Sequence, residues 1–338
     1  MKRSGYISFI LAMFIIPIIS ICFTDCKKTE DPIKYPKGTF PDTVINMADI
    51  NSAYDDYNLA LYQIGETLPI IFSSNRKSAG GQFDLEQASI SFLFDQTSGA
   101  FGFGSTMTTD AFFDKLITKA KTPGNDFGPY RLFSTVDGYE YLLLSSVNAA
   151  GNLDLTYLKN QPVSGSNIPE VSGPFPIKLM NTSSDDVYIC FNSSQDTAFF
   201  SSNKDGNFDI FFLKKPAEKD LTSWFNLDYA VPAKTDSINS LYEDKCPFIL
   251  KKIMVFASNR PGGLGGYDLY YSILKNGKWS SPVNLGPRIN TSSDEYRPVI
   301  GFHPDFTNKY LMFSSNRLAG NTNRGFDLYF TGVDFPSK

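Results

Sequence analysis

A short motif recurs five times along this chain of 338 residues, and it constrains the fold more than any other feature. Each copy is an apolar run that ends in a Ser-Asn-Arg-like turn and is followed, a few residues later, by an aromatic-Asp-aliphatic triplet. The copies begin at Phe72, Leu144, Phe200, Phe256 and Phe313, and the second is the most degenerate. Equivalent positions lie 72, 56, 56 and 57 residues apart. Near-equal periods of this length predict stacked or radially arranged units, each too small to bury its own apolar face.

The last two units show how many strands one unit holds. In the fifth, turn-rich stretches separate three predicted strands, at residues 297–302, 309–314 and 326–333. The fourth unit adds a fourth strand, predicted over residues 278–285, after an Asn-Gly hairpin turn at 276–277.

The fifth unit lacks this fourth strand, and the start of the chain supplies it. Residues 43–57 align with residues 282–296 of the fourth unit. A ring closed by pairing the N-terminal strand into the last unit explains this offset, whereas an open solenoid would need capping units. We therefore predict an all-β fold, a β-propeller of five four-stranded blades over roughly residues 41–335, with six blades as the alternative.

The longest interval predicts an insertion between the first two blades. Its surplus of about 16 residues lies between Phe94 and Asn125, and residues 109–121 carry apolar side chains at helical spacing. Because so few residues cannot form four ordinary strands, an inserted short helix or loop is favoured over a sixth blade.

The N-terminus predicts export. Lys2 and Arg3 precede an apolar run at residues 7–21, so residues 1–25 are predicted to be a signal peptide. Cys26 resembles the acylated first residue of a mature bacterial lipoprotein, with Cys22 as a competing position and a plain secretory signal as the alternative. Residues 26–40 would then be a flexible tether, and residues 41–338 the propeller, held at a membrane by the lipid, most simply the outer membrane on its periplasmic or surface side.

Composition argues against several functions. The formal net charge is -4 and no basic cluster is evident, so no nucleic-acid partner is expected. The one histidine, His303, falls in a hairpin turn and is expected to be a solvated bystander, which leaves little room for an acid–base relay. Cys190 and Cys246 lie in apolar strands and are expected to be buried free thiols. No metal and no cofactor are expected.

Two sets of carboxylates recur with the motif. The aspartate of each triplet is expected to accept backbone N–H groups of the preceding turn, which is a structural role. These residues are Asp84, Asp154, Asp209, Asp268 and Asp327. Acidic pairs at the entry to the first strand are expected to meet the turn arginines, either as interblade ion pairs or as a charged binding rim. This candidate rim comprises Asp55, Asp56, Asp185, Asp186, Glu243, Asp244, Asp294 and Glu295 with Arg76, Arg260 and Arg317.

Residues 256–270, continued by Trp279, residues 282–286, Ile289-Asn290 and residues 294–296, resemble the WD40-like β-propeller repeat called PD40. The resemblance covers residues 238–332 best, residues 44–90 and 181–213 moderately, and residues 110–160 weakly. PD40 repeats occur in TolB-type periplasmic propellers and beside OmpA-like domains, but neither TolB's N-terminal domain nor an OmpA-like module is recognisable here.

This resemblance implies a function in the cell envelope. The expected role is a non-catalytic, monomeric binding platform for an envelope protein or glycan. Two rival hypotheses are a carbohydrate-active enzyme, as in five-bladed glycoside hydrolases, and a purely structural envelope component. The enzyme would need unique, non-repeating carboxylates, and the sequence alone singles out none.

Overall fold

The computed structural model describes residues 33–61, 67–109, 111–160, 170–235, 237–317 and 325–336. The chain forms five antiparallel sheets, and the innermost strands of successive sheets contact one another until the last contacts the first. The prediction of a five-bladed β-propeller is therefore confirmed, and the six-bladed alternative is excluded. The predicted signal peptide, Cys22 and Cys26 lie outside the described residues.

The chain enters the ring with a short strand, β1 (Ile45–Asn46). Blade I consists of β2 (Asp56–Leu61), β3 (Thr67–Ser74), β4 (Asp84–Phe94) and β5 (Phe101–Met107). Blade II consists of β6 (Asp126–Phe133), β7 (Glu140–Val147), β8 (Leu153–Asn160) and β9 (Val171–Pro176). In each blade the first strand is innermost and the fourth is outermost.

The remaining blades have shorter outer strands. Blade III consists of β10 (Asp186–Phe191), β11 (Thr197–Ser202), β12 (Asp209–Lys214) and β13 (Ala233–Lys234). Blade IV consists of β14 (Asp244–Leu250), β15 (Ile253–Ser258), β16 (Asp268–Lys275), β17 (Lys278–Trp279) and β18 (Val283–Asn284). Blade V consists of β19 (Glu295–Phe302), β20 (Lys309–Ser315) and β21 (Asp327–Val333), with β1 as its fourth strand.

The N-terminal strand closes the ring as predicted. β1 pairs antiparallel with β21, with Ile45 opposite Phe330 and Asn46 opposite Tyr329. The Asn46 side chain also donates to Asp327 at 3.0 Å. Just before this strand, Phe40 is buried and stacks on Phe306 of blade V with ring centroids 3.9 Å apart. The last residues of the segment predicted to be a tether therefore contact the propeller.

The surplus residues after blade I form a helix, as predicted. This helix is α1 (Ala111–Ala120), and it packs Leu116 and Ala120 against Leu85 of blade I and Leu142 of blade II. A second helix, α2 (Leu221–Phe225), was not predicted; it begins at the N-cap Asp220, whose side chain accepts from the Ser223 N–H at 2.8 Å.

The prediction of one continuous fourth strand over residues 278–285 is wrong, because two short strands, β17 and β18, form there. Between them the hydroxyl of Ser280 accepts from the Ile273 N–H at 3.1 Å, and Pro282 has no N–H for a ladder. The turn before β17 is the predicted one: Asn276 and Gly277 have φ of 51° and 76°, as a two-residue hairpin turn requires.

Each innermost strand contains a bulge near its start. The register shifts there in all five blades, and the bulge residue has a left-handed φ between 48° and 59°. The five bulge residues are Asn58, Gly128, Tyr188, Cys246 and Arg297. In three of them the backbone N–H donates to a serine hydroxyl of the preceding blade: Asn58 to Ser314, Tyr188 to Ser145 and Cys246 to Ser201. This bond explains the first serine of the repeated Ser-Ser-Asn-Arg turn.

The two cysteines of the propeller are free and buried, which confirms the sequence prediction. Burial raises the pKa of Cys190 to about 12 and that of Cys246 to about 11, so both remain thiols at neutral pH.

Candidate functional site

The second member of three acidic pairs forms a buried ion pair with the turn arginine of its own blade. Arg76 lies 2.5 Å from Asp56, Arg317 lies 3.0 Å from Glu295, and Arg260 contacts Asp244 in the same way. All three carboxylate side chains are fully buried. These ion pairs lie within blades rather than between them, because the turn after the second strand adjoins the entry to the first strand of the same blade.

The first member of the pair links neighbouring blades instead. Asp55, Asp185 and Asp294 each accept the backbone N–H of the first triplet residue of the preceding blade, at 2.8 Å in every case. The donors are Phe326, Leu153 and Tyr267. Most of the candidate rim is therefore engaged in holding the ring together.

Blades II and III have no arginine in the turn that follows the second strand. The corresponding carboxylates, Asp126 and Asp186, keep the backbone donor that all five blades share, the N–H of Thr122 at 3.0 Å and of Thr182 at 2.6 Å, but they have no arginine partner. Without a cation, burial raises the pKa of both carboxyls.

The triplet aspartates have varied partners. Asp268 accepts two N–H groups of its own turn, from Leu264 at 2.7 Å and Gly265 at 3.0 Å. The other contacts involve side chains: Asp84 accepts from Lys121, Asp209 from Lys234 and Asp327 from Asn46. Burial raises the pKa of Asp154, and the negative charge of Asp185 raises it further.

His303 is buried at 3% exposure, so the expectation of a solvated side chain is wrong. Its ring packs edge-on against Phe92 and Phe306, and its Nδ1 accepts from the Asp305 N–H at 3.3 Å. His303 therefore belongs to the core.

Aromatic side chains cluster where the innermost strands begin. Tyr57 contacts the rings of Phe83, Phe127 and Phe326, with centroids 5.1, 5.7 and 5.6 Å apart, and so joins blades I, II and V. Tyr296 continues the cluster to Phe326 at 6.1 Å and Tyr267 at 5.3 Å. We call this cluster the aromatic mouth and define it as Tyr57, Phe83, Phe127, Phe208, Glu243, Lys245, Tyr267, Tyr296 and Phe326.

Two charged residues lie among these rings. The Lys245 ammonium is 4.4 Å from the ring centroid of Phe208 and 4.7 Å from that of Tyr267. It is also 2.7 Å from Oε2 of Glu243, the oxygen to which the Tyr267 hydroxyl donates. Glu243 is one-third exposed, in contrast to the fully buried Asp244 beside it. Glu243 is therefore an accessible, positioned carboxylate beside aromatic faces, a setting in which a sugar ring could bind.

A groove opens on the side of the propeller between blades III and IV, with a volume of about 820 Å³. Its floor includes Phe199, Phe212 and Trp279, and the rings of Phe199 and Trp279 are 6.2 Å apart. Five lysines surround the floor: Lys214, Lys234, Lys251, Lys252 and Lys278. In the described part of the chain, no Asp or Glu lines this groove. It lies where the outer strands are short, since β13 and β17 have two residues each.

Sequence reasoning placed Glu243 in the rim but missed its aromatic surroundings and Lys245. Four of the five triplets begin with an aromatic residue, and this regularity is the sequence signal for the aromatic cluster. The groove was missed because its lysines are scattered in sequence and meet only in the folded ring.

Solved structures with this fold include several glycoside hydrolases. A thermostable family-43 glycoside hydrolase matches with a TM-score of 0.53 and 10% identity over 83% of this chain and 90% of that one. An endo-arabinase from Bacteroides thetaiotaomicron matches with a TM-score of 0.51 and 9% identity, over 85% and 99% of the two chains. A GH62 hydrolase in complex with xylotriose also gives 0.51 and 9%, over 88% and 97%. At such identities the likeness establishes the propeller fold.

No family model and no curated protein sequence matches the chain. The matching structures named above are glycoside hydrolases and not TolB-like propellers, so they do not support the finer part of the PD40 resemblance. The expectation of a non-catalytic platform, and with it of a protein that is not an enzyme, is corrected, because the matching structures are glycoside hydrolases and thus favour the carbohydrate-active alternative.

The described residues show neither a cluster of metal ligands nor a helix suited to a membrane. No group of three or more His, Cys, Asp or Glu side chains within them is arranged to hold a metal ion. Likewise, none of the helices in those segments is long and apolar enough to span a bilayer.

Proposed function

We propose that this protein is a carbohydrate-active enzyme of the glycoside hydrolase type, with the aromatic mouth as its substrate site. The observation that carries the proposal is Glu243, an accessible carboxylate held by Lys245 and Tyr267 within a cluster of aromatic rings. Aromatic faces stack on the apolar faces of sugar rings, and carboxylates are the residues that glycoside hydrolysis uses.

The contacts suggest the role of Glu243. Lys245 neutralises the charge of Glu243 and, with Tyr267, fixes its orientation, so Glu243 is suited to accept a proton from an attacking water. Tyr267 also donates its backbone N–H to Asp294 at 2.8 Å, but Asn316 binds the other oxygen of Asp294. Asp294 therefore links blades IV and V and is not the second carboxyl that the reaction requires.

The test is hydrolysis of a panel of polysaccharides and aryl glycosides, measured as the release of reducing ends from the polysaccharides and of the aryl group from the aryl glycosides. Glu243→Gln keeps the size of the side chain and removes the carboxylate, so we expect kcat to fall at least about 100-fold with a smaller change in KM. The matched control is Glu218→Gln, an exposed glutamate away from the mouth. Sugar binding without turnover by the wild-type protein on the whole panel would show that the enzyme assignment is wrong.

The lysine-lined groove favours a polyanionic glycan as the substrate class. Trp279 and Phe212 offer faces for sugar rings. Lys234 is paired with Asp205 and Asp209, and the other four lysines offer counter-charges for carboxylate or sulfate groups. In this proposal the groove binds a distant part of a long chain and the mouth acts on it.

We also propose that the protein is exported and acylated at Cys26, and that it meets its glycan in the cell envelope. The sequence features at residues 1–40 support this proposal. Metabolic labelling with an alkyne fatty acid tests it: labelling should be lost in Cys26→Ser and kept in Cys22→Ser. The reverse result would show that Cys22 is the acylated residue.

A further inference from the structure

Below the aromatic mouth, the channel contains a buried arginine without a carboxylate partner among the described residues. Arg297 is the bulge residue of blade V and is fully buried. One of its terminal nitrogens, Nη2, donates to the carbonyl of Pro129 at 3.1 Å. Nε and Nη1 have no hydrogen-bond partner in the same described segments. Three N–H groups of a buried cation therefore lack an acceptor among the described residues.

Such a group is costly to bury. A guanidinium does not lose its proton in a protein, so it cannot escape the cost by becoming neutral. An uncompensated charge in the interior costs several kcal/mol even after relaxation. The ring of Tyr188, whose centroid is 5.5 Å from Cζ of Arg297, compensates only part of this cost.

The nearest acids in the sequence are already engaged. Asp294 is bound by Asn316 and by the Tyr267 N–H, and Glu295 is bound by Arg317. Within the part of the chain that the structure describes, no Asp or Glu forms an ion pair with Arg297.

Several neighbouring groups can donate hydrogen bonds. Asn58, the bulge residue of blade I, is fully buried, and its side-chain amide lies beside the Tyr188 hydroxyl. Tyr188 interacts electrostatically with Arg297 and lies close to Asn58 and Tyr296. Burial raises the pKa of the Tyr188 and Tyr296 hydroxyls well above neutrality, so both keep their protons. A cation surrounded by neutral donors matches the hydrogen-bonding needs of an anion.

We propose that the central channel binds one small monovalent anion, such as chloride, held by Nε and Nη1 of Arg297 and by the side-chain amide of Asn58. This site goes beyond the proposed hydrolase function and does not depend on it. The anion would neutralise the buried guanidinium and bridge blades I and V. A water molecule could satisfy the free donors, but it would leave the charge uncompensated.

Bromide replaces chloride and scatters anomalously, so the first test uses crystals of the wild-type protein grown in sodium bromide. We expect one anomalous peak at hydrogen-bonding distance from the Arg297 guanidinium. An ordered water there, with no anomalous peak, would overturn the proposal.

Thermal unfolding gives an independent readout in solution. At constant ionic strength, replacing gluconate with chloride should raise Tm, because a ligand bound only by the folded state stabilises it; above the dissociation constant, each tenfold rise in chloride should raise the folded-to-unfolded ratio about tenfold. Arg297→Met should abolish this dependence, whereas Arg288→Met, at an exposed arginine, should keep it. If Arg297→Met does not fold, Asn58→Leu should show a weaker chloride dependence. Equal Tm values for the wild type in both salts would contradict the site.

Discussion

Asn316 and Asp294 exchange two hydrogen bonds: the Asp294 N–H donates to Oδ1 of Asn316 at 2.8 Å, and the Asn316 amide donates to Oδ2 of Asp294 at 3.1 Å. The same exchange joins Asn75 to Asp55 and Asn203 to Asp185. The other oxygen of each aspartate binds the preceding blade. The asparagine of the repeat therefore orients the carboxylate that connects one blade to the next.

Removing that asparagine should destabilise the ring. Asn203→Ala deletes both side-chain bonds to Asp185 and should lower the free energy of unfolding by about 2 kcal/mol. Urea denaturation followed by tryptophan fluorescence measures the change. Asn207→Ala, which removes one surface bond to the Tyr242 carbonyl, is the matched control and should cost well under half as much. Equal losses in the two variants would refute the linking role.

The buried ion pairs predict a larger loss. Arg260→Met leaves the fully buried Asp244 carboxylate without its cation and should cost roughly 3 kcal/mol at pH 7. Lys252→Met, at an exposed lysine, is the control for loss of a positive charge. Urea denaturation measures both changes, and equal losses in the two variants would rule out this electrostatic explanation.

Asp186 predicts the opposite behaviour from an ordinary stabilising carboxylate. Its folded-state pKa is raised by burial above the ordinary value of 3.8, so the folded state binds the proton more tightly than the unfolded state. Its carboxyl therefore disfavours folding increasingly as pH rises from 3.8 to the raised folded-state pKa, and the penalty is constant above that pKa. Relative to Asp186→Asn, the wild type should lose stability between pH 4 and pH 7.

Asp196 provides the control of opposite sign. Hydrogen bonds from Ser194, Asn192 and Thr197 lower its pKa, so its contribution is present at neutral pH and is lost as pH falls through the folded-state value. Urea unfolding of the wild type, Asp186→Asn and Asp196→Asn across pH 3 to 7 gives the free-energy difference between the wild type and each variant. As pH rises, this difference should change in opposite directions for the two variants. Changes in the same direction would contradict the assignment of both groups.

The bulge at Gly128 predicts a packing defect that can be separated from backbone strain. A Cβ at this residue would lie 2.5 Å from Cδ1 of the Tyr188 ring, and φ is +57°. Gly128→Ala should therefore cost more than the ~1–2 kcal/mol of a left-handed residue alone. Gly151→Ala is the control, because Gly151 also has positive φ but no described atom lies within 4 Å of the position that its methyl group would take. Similar unfolding midpoints for the two variants would show that the bulge tolerates a side chain.

The groove predicts selective binding of acidic glycans. Trp279→Ala removes an aromatic face from its floor and should weaken binding of polygalacturonate at least about tenfold in affinity electrophoresis, as loss of a stacked ring does. Tyr242→Ala, at an exposed tyrosine outside the groove, should leave binding unchanged. A sulfated glucan in a parallel gel distinguishes carboxylate from sulfate recognition, and binding of a neutral glucan with equal affinity would refute the role of the lysines.

The repeat made the fold predictable because the blades reuse the same bonds. In blade I the second serine, the asparagine and the arginine of the turn bind the acidic pair, so a sequence pattern records a hydrogen-bond pattern. The closing strand was predictable for the same reason, since residues 43–57 repeat the outer strand and the linker of blade IV.

The candidate sites were less accessible to sequence reasoning. Lys245 and Glu243 are two residues apart, but their importance depends on the rings of Phe208 and Tyr267, which come from two different blades. Arg297 looks like an ordinary residue at the start of a strand, and only the structure shows that it is a fully buried bulge residue. A functional residue that differs from the repeat at a single position is therefore hard to recognise from the sequence.

Ring closure also has a mechanical consequence. The chain first contacts the propeller at Lys34 and Tyr35, whose N–H groups donate to the Gln96 carbonyl of blade I, and at Gly38, which pairs with Phe306 of blade V. Only after these contacts does it form β1, the strand that closes the ring against β21. If the N-terminus is tethered to a surface, a pull would load the contacts of residues 34–38 before it reaches β1. These contacts would therefore shield the closing strand from tension.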